Sequence, residues 1–436
     1  MNQRRGNQLR AVDVPAEPFR AARPGGVRLG RLASRWGVLL LAGALVAAGC
    51  SSDDDSSDGG SSDTAAADSE APSVVVELPS GEMSADDVAL IDAAAQGMIE
   101  NSLGGIPAVY VGVWDPERGS YVAAYGDAEI GTRPADPGDS VRIGSISKTF
   151  TAVVLLGLVD DGKVDLAAAV ETYVPDLVEQ FPGLEGLTVE QLLRMESGIP
   201  DYLNVPDGVL ADVTEDPTRV WEPEELIAAG FAGDVAQPGT PGYSTTNFIV
   251  LQEIIEAVSG SSLPDLVDQE LTSPLGLDVT ALPPADDTTL PDPQSHGYLT
   301  ELCSGEVEAT GGEAEVGTDV TDWSASYGQG GGGMHSVIEE LGLWAASTSG
   351  NVFLSDELAT DRLEMNDIGI DVPYGMGIMA FGPWIGHQGD SIGWESLAVH
   401  DPSTGATFAA ATNTCGDAST LLFSLLAAIY PDAPPL

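Results

Sequence analysis

Positive charge is what this chain has least of. Its 436 residues carry 16 lysines and arginines against 68 acids, a formal charge of −52, and only Lys148 and Lys163 are lysines. Eight arginines fall within residues 1–35; without residues 1–49 the balance is 66 acids to 8 bases, or −58. Such a surface repels nucleic acid and anionic lipid headgroups, so nucleic acid is excluded as a partner. Three cysteines are too few for a disulfide-dense scaffold. Four histidines show no metal-ligand spacing, so neither metal nor cofactor is expected, and His296, His335 and His400 read as surface or structural residues. No repeat of 20–50 residues is present. The length and 43% hydrophobic content allow one large domain or two intimate lobes.

In a chain so poor in lysine, Lys148 three places after Ser145 calls for a specific explanation. On a helix, residues i and i+3 share a face, which brings the ammonium within reach of the hydroxyl. A free serine hydroxyl is a weak nucleophile and needs a neighbour to take its proton. With 35 serines and two lysines, about 0.16 Ser-x-x-Lys matches are expected by chance, so context has to decide. Before the motif, Ser140-Val141-Arg142-Ile143-Gly144 is a short β-like stretch ending in glycine. After it, residues 149–159 are apolar nearly all round, as in a helix buried in a sizeable domain. Ser145 is thus predicted at the N-terminal end of a core helix, where free N–H groups favour developing negative charge.

About a hundred residues on, Tyr243-Ser244-Thr245-Thr246-Asn247 precedes an amphipathic helix predicted over Ile249–Ser259 and closed by Gly260. Near the C-terminus, His387-Gln388-Gly389-Asp390 lies in a predicted strand. This ordered set resembles the serine β-lactamase-like superfamily, in its branch of class C β-lactamases, D-alanyl-D-alanine carboxypeptidases, D-aminopeptidases and β-lactamase-fold esterases. That branch is marked by Ser-x-x-Lys, Tyr-x-Asn and Lys/His-x-Gly. Leu187–Pro200 and Gly331–Ser336 are also similar to segments of the branch, so the likeness spans roughly residues 84–430.

The resemblance implies roles by position. Ser145 would be the acylated nucleophile, with Lys148 and Tyr243 handling its proton; Tyr243 could act as a base only beside a cation such as Lys148. His387 would stand for the lysine of the third motif. Backbone N–H groups of Ser145 and Asp390 would form the oxyanion hole. Thr245, Gln388 and Gly389 would meet the substrate. Two departures fall on recognition: Thr245 replaces an asparagine that would bond a substrate amide, and Gln388 replaces a threonine that seats a substrate carboxylate. They shift the expectation away from an efficient β-lactamase. The leading expectation is an exported serine hydrolase of D-amino-acid peptides or amides, D-alanyl-D-alanine carboxypeptidase-like, working through an acyl-enzyme as a monomer on a small-molecule or peptide substrate. The alternatives are an esterase on the same residues and a penicillin-binding lipoprotein without turnover.

The basic start and the short apolar run Trp36–Gly49 read as a secretory signal, too short to span a bilayer. Ala47-Ala48-Gly49-Cys50 resembles a bacterial lipobox, so Cys50 is expected to carry a lipid anchor on the outer face of the cell membrane. Residues 50–82, rich in Ser, Gly and Asp, are expected to be a disordered tether. Cys303 and Cys415 remain as an even pair in an oxidising compartment, where a disulfide is plausible. The predicted layout is 1–49 signal peptide, 50–82 tether and 83–432 catalytic domain. The fold class is α+β: an α/β sandwich with an antiparallel sheet, built from residues 83–142 and about 350–432, plus an all-helical lobe over about 143–349. Turn signals at Asp115–Gly119 and Asp401–Gly405 support antiparallel hairpins.

Overall fold

The computed structural model describes residues 74–431, apart from residues 103–104, 206–207, 302, 304–314, 351, 371 and 416–417. The signal peptide, Cys50 and the tether as far as residue 73 lie outside the described residues.

The strands, in chain order, are β1 (Ala108–Asp115), β2 (Gly119–Glu129), β3 (Arg133–Pro134), β4 (Val141–Arg142), β5 (His335–Ser336), β6 (Met379–Phe381), β7 (Trp384–Ser391), β8 (Trp394–Asp401) and β9 (Ala406–Thr412). Seven of them form an antiparallel sheet in the order β3-β2-β1-β9-β8-β7-β6, while β4 and β5 pair apart from it. Both predicted hairpins are present, with Asp115 opposite Gly119 and Asp401 opposite Ala406. The contact of β1 with β9, Val109 facing Thr412 through Trp114 facing Thr407, joins the two ends of the domain. Everything between β3 and β6 is therefore inserted into one sheet.

Every residue of β1 and β9 is buried. Such strands read as apolar runs because both faces of the sheet are covered. The Ala85–Asn101 and Ala418–Ile429 helices pack together on one face, and the Ile338–Thr348 helix covers the other. Trp114 fills the space beneath this last helix. A Cβ added at Gly112 or at Gly342 would strike its indole ring, so the absence of two side chains makes room for one large one.

The Ser147–Asp160 helix is buried along nearly its whole length. Phe150 stacks on Trp344 at 3.7 Å between ring centroids, and the Trp344 indole N–H donates to Thr149 Oγ1 at 2.7 Å. These contacts tie the motif-bearing helix to the helix that covers the sheet.

The expected boundaries need two corrections. Residues 74–82 are not tether: Val74, Val76 and Leu78 pack on the core, the Val74 N–H donates to the Pro274 carbonyl at 2.9 Å, and the Ser120 N–H to the Gly81 carbonyl at 2.9 Å. The apolar Val74-Val75-Val76 run is what the preceding Ser/Asp stretch lacks. Nor does the lobe boundary fall at 350. The Ile338–Thr348 helix belongs to the sheet, whereas the segment holding Asp361, Glu364 and Gly377 bonds Arg194 and Leu193 of the helical lobe. Cys303 and Cys415, 112 residues apart, are joined by a disulfide with Cα atoms 4.8 Å apart.

Candidate active site

Ser145 sits in a 3-10 turn, Gly144–Ile146, that leads from β4 into the Ser147–Asp160 helix. Gly144 has φ +47°, a conformation disfavoured for a side chain, and a Cβ there would collide with the backbone of Asp390. A Cβ at Gly389 would likewise run into the Ile143 carbonyl. Strand β7 therefore lies directly beside the serine turn, which brings the Asp390 backbone next to Ser145. The Ser147 hydroxyl donates to the Gly144 carbonyl at 2.7 Å and accepts from Met334 N–H at 3.1 Å; the Ser396 hydroxyl holds the Ile143 carbonyl at 3.0 Å. Ser145 itself keeps partial exposure, while Ser147 and Lys148 beside it have none.

Lys148 Nζ donates to Ser145 Oγ at 2.9 Å, to the Gly331 carbonyl at 2.7 Å and to Thr245 Oγ1 at 3.2 Å, and sits 5.0 Å from the centre of the Tyr243 ring. Three acceptors match the donor capacity of an ammonium. Burial lowers the Lys148 pKa from 10.5 to about 7, against the opposing pull of the Asp201 carboxylate. The free amine is therefore within reach near neutrality; with two N–H groups it can keep the Gly331 and Thr245 bonds and turn its lone pair to Ser145 Oγ. Tyr243 is hydrogen-bonded to Ser145, yet burial raises its pKa well above the ordinary value; the Ser145 bond opposes this, and Asp201 and Asp390 add to it. Tyr243 thus stays protonated. Burial weighs against its expected use as a base, and Lys148 Nζ is likewise in reach of the Ser145 hydroxyl.

Thr245 is a second correction. Its hydroxyl faces inward, accepting from Lys148 and donating to Asp201 Oδ2 at 3.1 Å, with 2% exposure, so its polar group is engaged within the Lys148 network. Asn247 is structural: it accepts from the Ser197 hydroxyl at 2.6 Å and donates to the Leu192 carbonyl at 3.1 Å.

His387 is buried on β7. Burial, with Lys148 and Arg362 adding to it and the Gln388 carbonyl opposing, holds its pKa down to about 3. Its Nδ1 lies 2.5 Å from the Gln388 carbonyl and its Nε2 3.4 Å from the Tyr374 hydroxyl, the pattern of a neutral ring protonated on Nδ1. It cannot supply the positive charge of the lysine it stands for. Gln388 is half-buried, Gly389 packs against Ile143, and Asp390 is exposed.

Four residues of this region escaped the sequence reading of the site. Asp201 and the Gly331 carbonyl hold the Lys148 network, whereas Tyr374 and Arg362 line its back. Tyr374 packs edge-on against both Tyr243 and His387, at 5.9 and 5.8 Å, and Arg362 donates to the Thr348 carbonyl at 2.7 Å. Gly331 opens a segment similar to a family stretch and Asp201 directly follows another, but no spacing rule joins them to Lys148 across 53 and 183 residues. Among the described residues no group of three or more His, Cys, Asp or Glu side chains is placed to hold a metal.

Comparison with known proteins agrees with this geometry. A family model described as Beta-lactamase matches residues 92–422. A D-aminopeptidase of Brucella anthropi is 28% identical over 322 residues, 70% of this chain and 55% of its own length. A D-aminopeptidase of Cereibacter sphaeroides is 35% identical over 179 residues, 40% of this chain and 32% of its own. The chain thus spans about a third to about half of the length of these curated relatives. A D-stereospecific amidohydrolase from Streptomyces sp. superposes with a TM-score of 0.66 at 28% identity, covering 76% of this chain and 97% of that one. The D-amino acid amidase of Ochrobactrum anthropi SV3 shares the fold, with a TM-score of 0.67 at 21% identity over 80% of this chain and all of its own. With a serine, lysine and tyrosine converging as the motif order requires, and the profile spanning most of the sequence, the chain belongs to the Beta-lactamase family.

Proposed function

We propose that the protein is a serine hydrolase that cleaves D-aminoacyl amides or peptides bearing a free α-ammonium, through an acyl-enzyme on Ser145. The observation that carries this reading is Lys148, fully buried, with its Nζ 2.9 Å from the hydroxyl of a serine that is itself partly exposed. In acylation the Ser145 oxygen attacks the substrate carbonyl while its proton passes to the Lys148 amine. The backbone amides of Ser145 and Asp390, on neighbouring segments where β7 meets the serine turn, would receive the negative charge that develops on the carbonyl oxygen. The C–N bond then breaks as Tyr243, bonded to Ser145, gives its proton to the leaving nitrogen and takes one back from the Lys148 ammonium, so that the amine is free again. Water then attacks the ester carbonyl, giving a proton to Lys148, and the same two groups return a proton to the departing Ser145 oxygen.

Substrate charge follows from the scarcity of bases. Beyond residue 49 there are eight. Lys163, Arg118, Arg133, Arg194 and Arg219 are paired with acids. Arg142 and Arg362 are buried and directed at backbone carbonyls, and Lys148 is internal. With His387 neutral, none of the eight is free to meet a substrate carboxylate, the group on which a carboxypeptidase or β-lactamase relies. An ammonium, by contrast, is drawn to a surface of this charge. The D-aminopeptidase and D-stereospecific amidohydrolase relatives support the same class, and this favours the amine end over the carboxypeptidase reading.

The test compares a D-aminoacyl amide, its N-acetylated form, an N-acyl-D-alanyl-D-alanine and a chromogenic cephalosporin. The expected order of kcat/KM puts the free amine first by about tenfold or more, the value of one charge contact in a desolvated site. Faster cleavage of the N-acyl dipeptide would overturn the reading. For the N-terminus we propose export and lipid anchoring at Cys50, carried by the lipobox-like Ala47–Cys50 and checked by the acyl mass on the mature N-terminal peptide.

A further inference from the structure

We propose that Asp201 is the charge-balancing partner of Lys148, acting through the Thr245 hydroxyl, and that this Asp–Thr pair both aims the amine at Ser145 and sets its proton affinity. The inference rests on Ser145 being the acylated residue.

Its basis is geometric. Asp201 is 7% exposed and lies at the start of the Tyr202–Asn204 turn, where Oδ1 accepts the Leu203 N–H at 3.1 Å and fixes the carboxylate. Oδ2 then accepts from Thr245 Oγ1 at 3.1 Å, and that oxygen accepts from Lys148 Nζ at 3.2 Å. A hydroxyl has one proton. Because Thr245 gives it to Asp201, its lone pairs must face Lys148, so Nζ is held by an oriented acceptor. When Lys148 takes the proton of Ser145 it becomes a cation with no exposed surface, a state that needs a nearby anion.

The other charged or titratable groups around Lys148 do not fill that place. Tyr243 keeps its proton, His387 is neutral, and Arg362 behind His387 has the wrong sign. Asp390 is exposed, and its charge acts on Tyr243. Tyr202, beside Asp201, directs its hydroxyl to the Tyr327 carbonyl at 2.5 Å. Asp201 is the buried carboxylate that interacts with Lys148, and its own carboxyl is raised by burial and pulled back down by Lys148. A threonine thus stands where the branch has an asparagine because a second residue, on the Ser197–Asp201 segment, completes the bridge.

The experiment is the pH dependence of covalent labelling of Ser145 by a fluorophosphonate, followed by intact mass, in wild type, Asp201→Asn, Thr245→Val and Thr245→Ser. Removing an opposite charge at this range lowers an amine's pKa by about 1–3 pH units. Asp201→Asn should therefore label more slowly at high pH, by about tenfold or more, while its acid limb moves to lower pH. The variant-to-wild-type ratio should climb as the pH falls, which a merely structural lesion would not produce. Thr245→Val should slow labelling and move the limb in the same direction, and Thr245→Ser should restore both.

A folded Asp201→Asn with the wild-type limb and a plateau within about twofold of wild type would overturn the proposal. Should Asp201→Asn fail to fold, Thr245→Val behaving as wild type would overturn it equally. Absence of any Ser145 adduct in the wild type would instead sink the acyl-enzyme reading.

Discussion

Acid should switch this protein off through Lys148. Burial lowers its pKa from 10.5 to about 7, which at 1.36 kcal/mol per pH unit is about 5 kcal/mol of disfavoured charge. The free amine is the base, so kcat/KM should be half-maximal near pH 7 and fall about tenfold for each unit below, leaving about 1% at pH 5. Stopped-flow or plate assays on a D-aminoacyl p-nitroanilide across pH 5–9, with a second substrate to exclude substrate titration, would show a single-proton acid limb. The same residue also shapes stability. Its folded pKa lies below its unfolded one, so from about pH 7 to about pH 10.5 the unfolded chain binds more protons and stability rises with pH. The rise attributable to Lys148 near pH 8 is about 1.2 kcal/mol per unit, measurable by urea unfolding between about pH 7.5 and about pH 9.5, and should disappear in Lys148→Met. A rate independent of pH down to 5, or one still rising tenfold per unit at pH 9, would refute the argument. So would a Lys148→Met variant whose stability kept the full wild-type slope.

Tyr243→Phe should lower kcat on amides by about 100-fold or more by removing the donor bonded to Ser145; activity on p-nitrophenyl esters, whose leaving group needs no proton, should fall far less. Gly342→Ala should destabilise the fold by about 1–3 kcal/mol, because the new methyl meets the Trp114 ring beneath the Ile338–Thr348 helix; urea midpoints would show it. Reducing the Cys303–Cys415 disulfide, which joins residues 112 apart, should cost about 2–5 kcal/mol of stability and leave the pH profile of Ser145 labelling in place.

Much of this protein was written locally and is legible residue by residue. Ser145 and Lys148 lie on one turn of helix, so their meeting needs only the backbone geometry of four consecutive residues. The Asp115–Gly119 and Asp401–Gly405 turns announce antiparallel strands, and the apolar run after Lys148 announces a buried helix, because turn chemistry and hydrophobic period act at short range. The order of motifs carried the family.

Contacts that close over long distances in the chain were decided only by the fold. Thr245 reads as a substrate contact until Asp201, 44 residues earlier, is seen to take its proton. His387 reads as the stand-in for a lysine, and only its burial beside Tyr374 and Arg362 shows that the neutral ring is favoured there. Gly331 reads as part of a glycine run until its carbonyl is found on Lys148, 183 residues away. The cysteine pair and the end of the tether belong to the same class. In each case the residue type names the groups available, but burial sets their charge and packing sets their partner, and both are properties of the assembled chain.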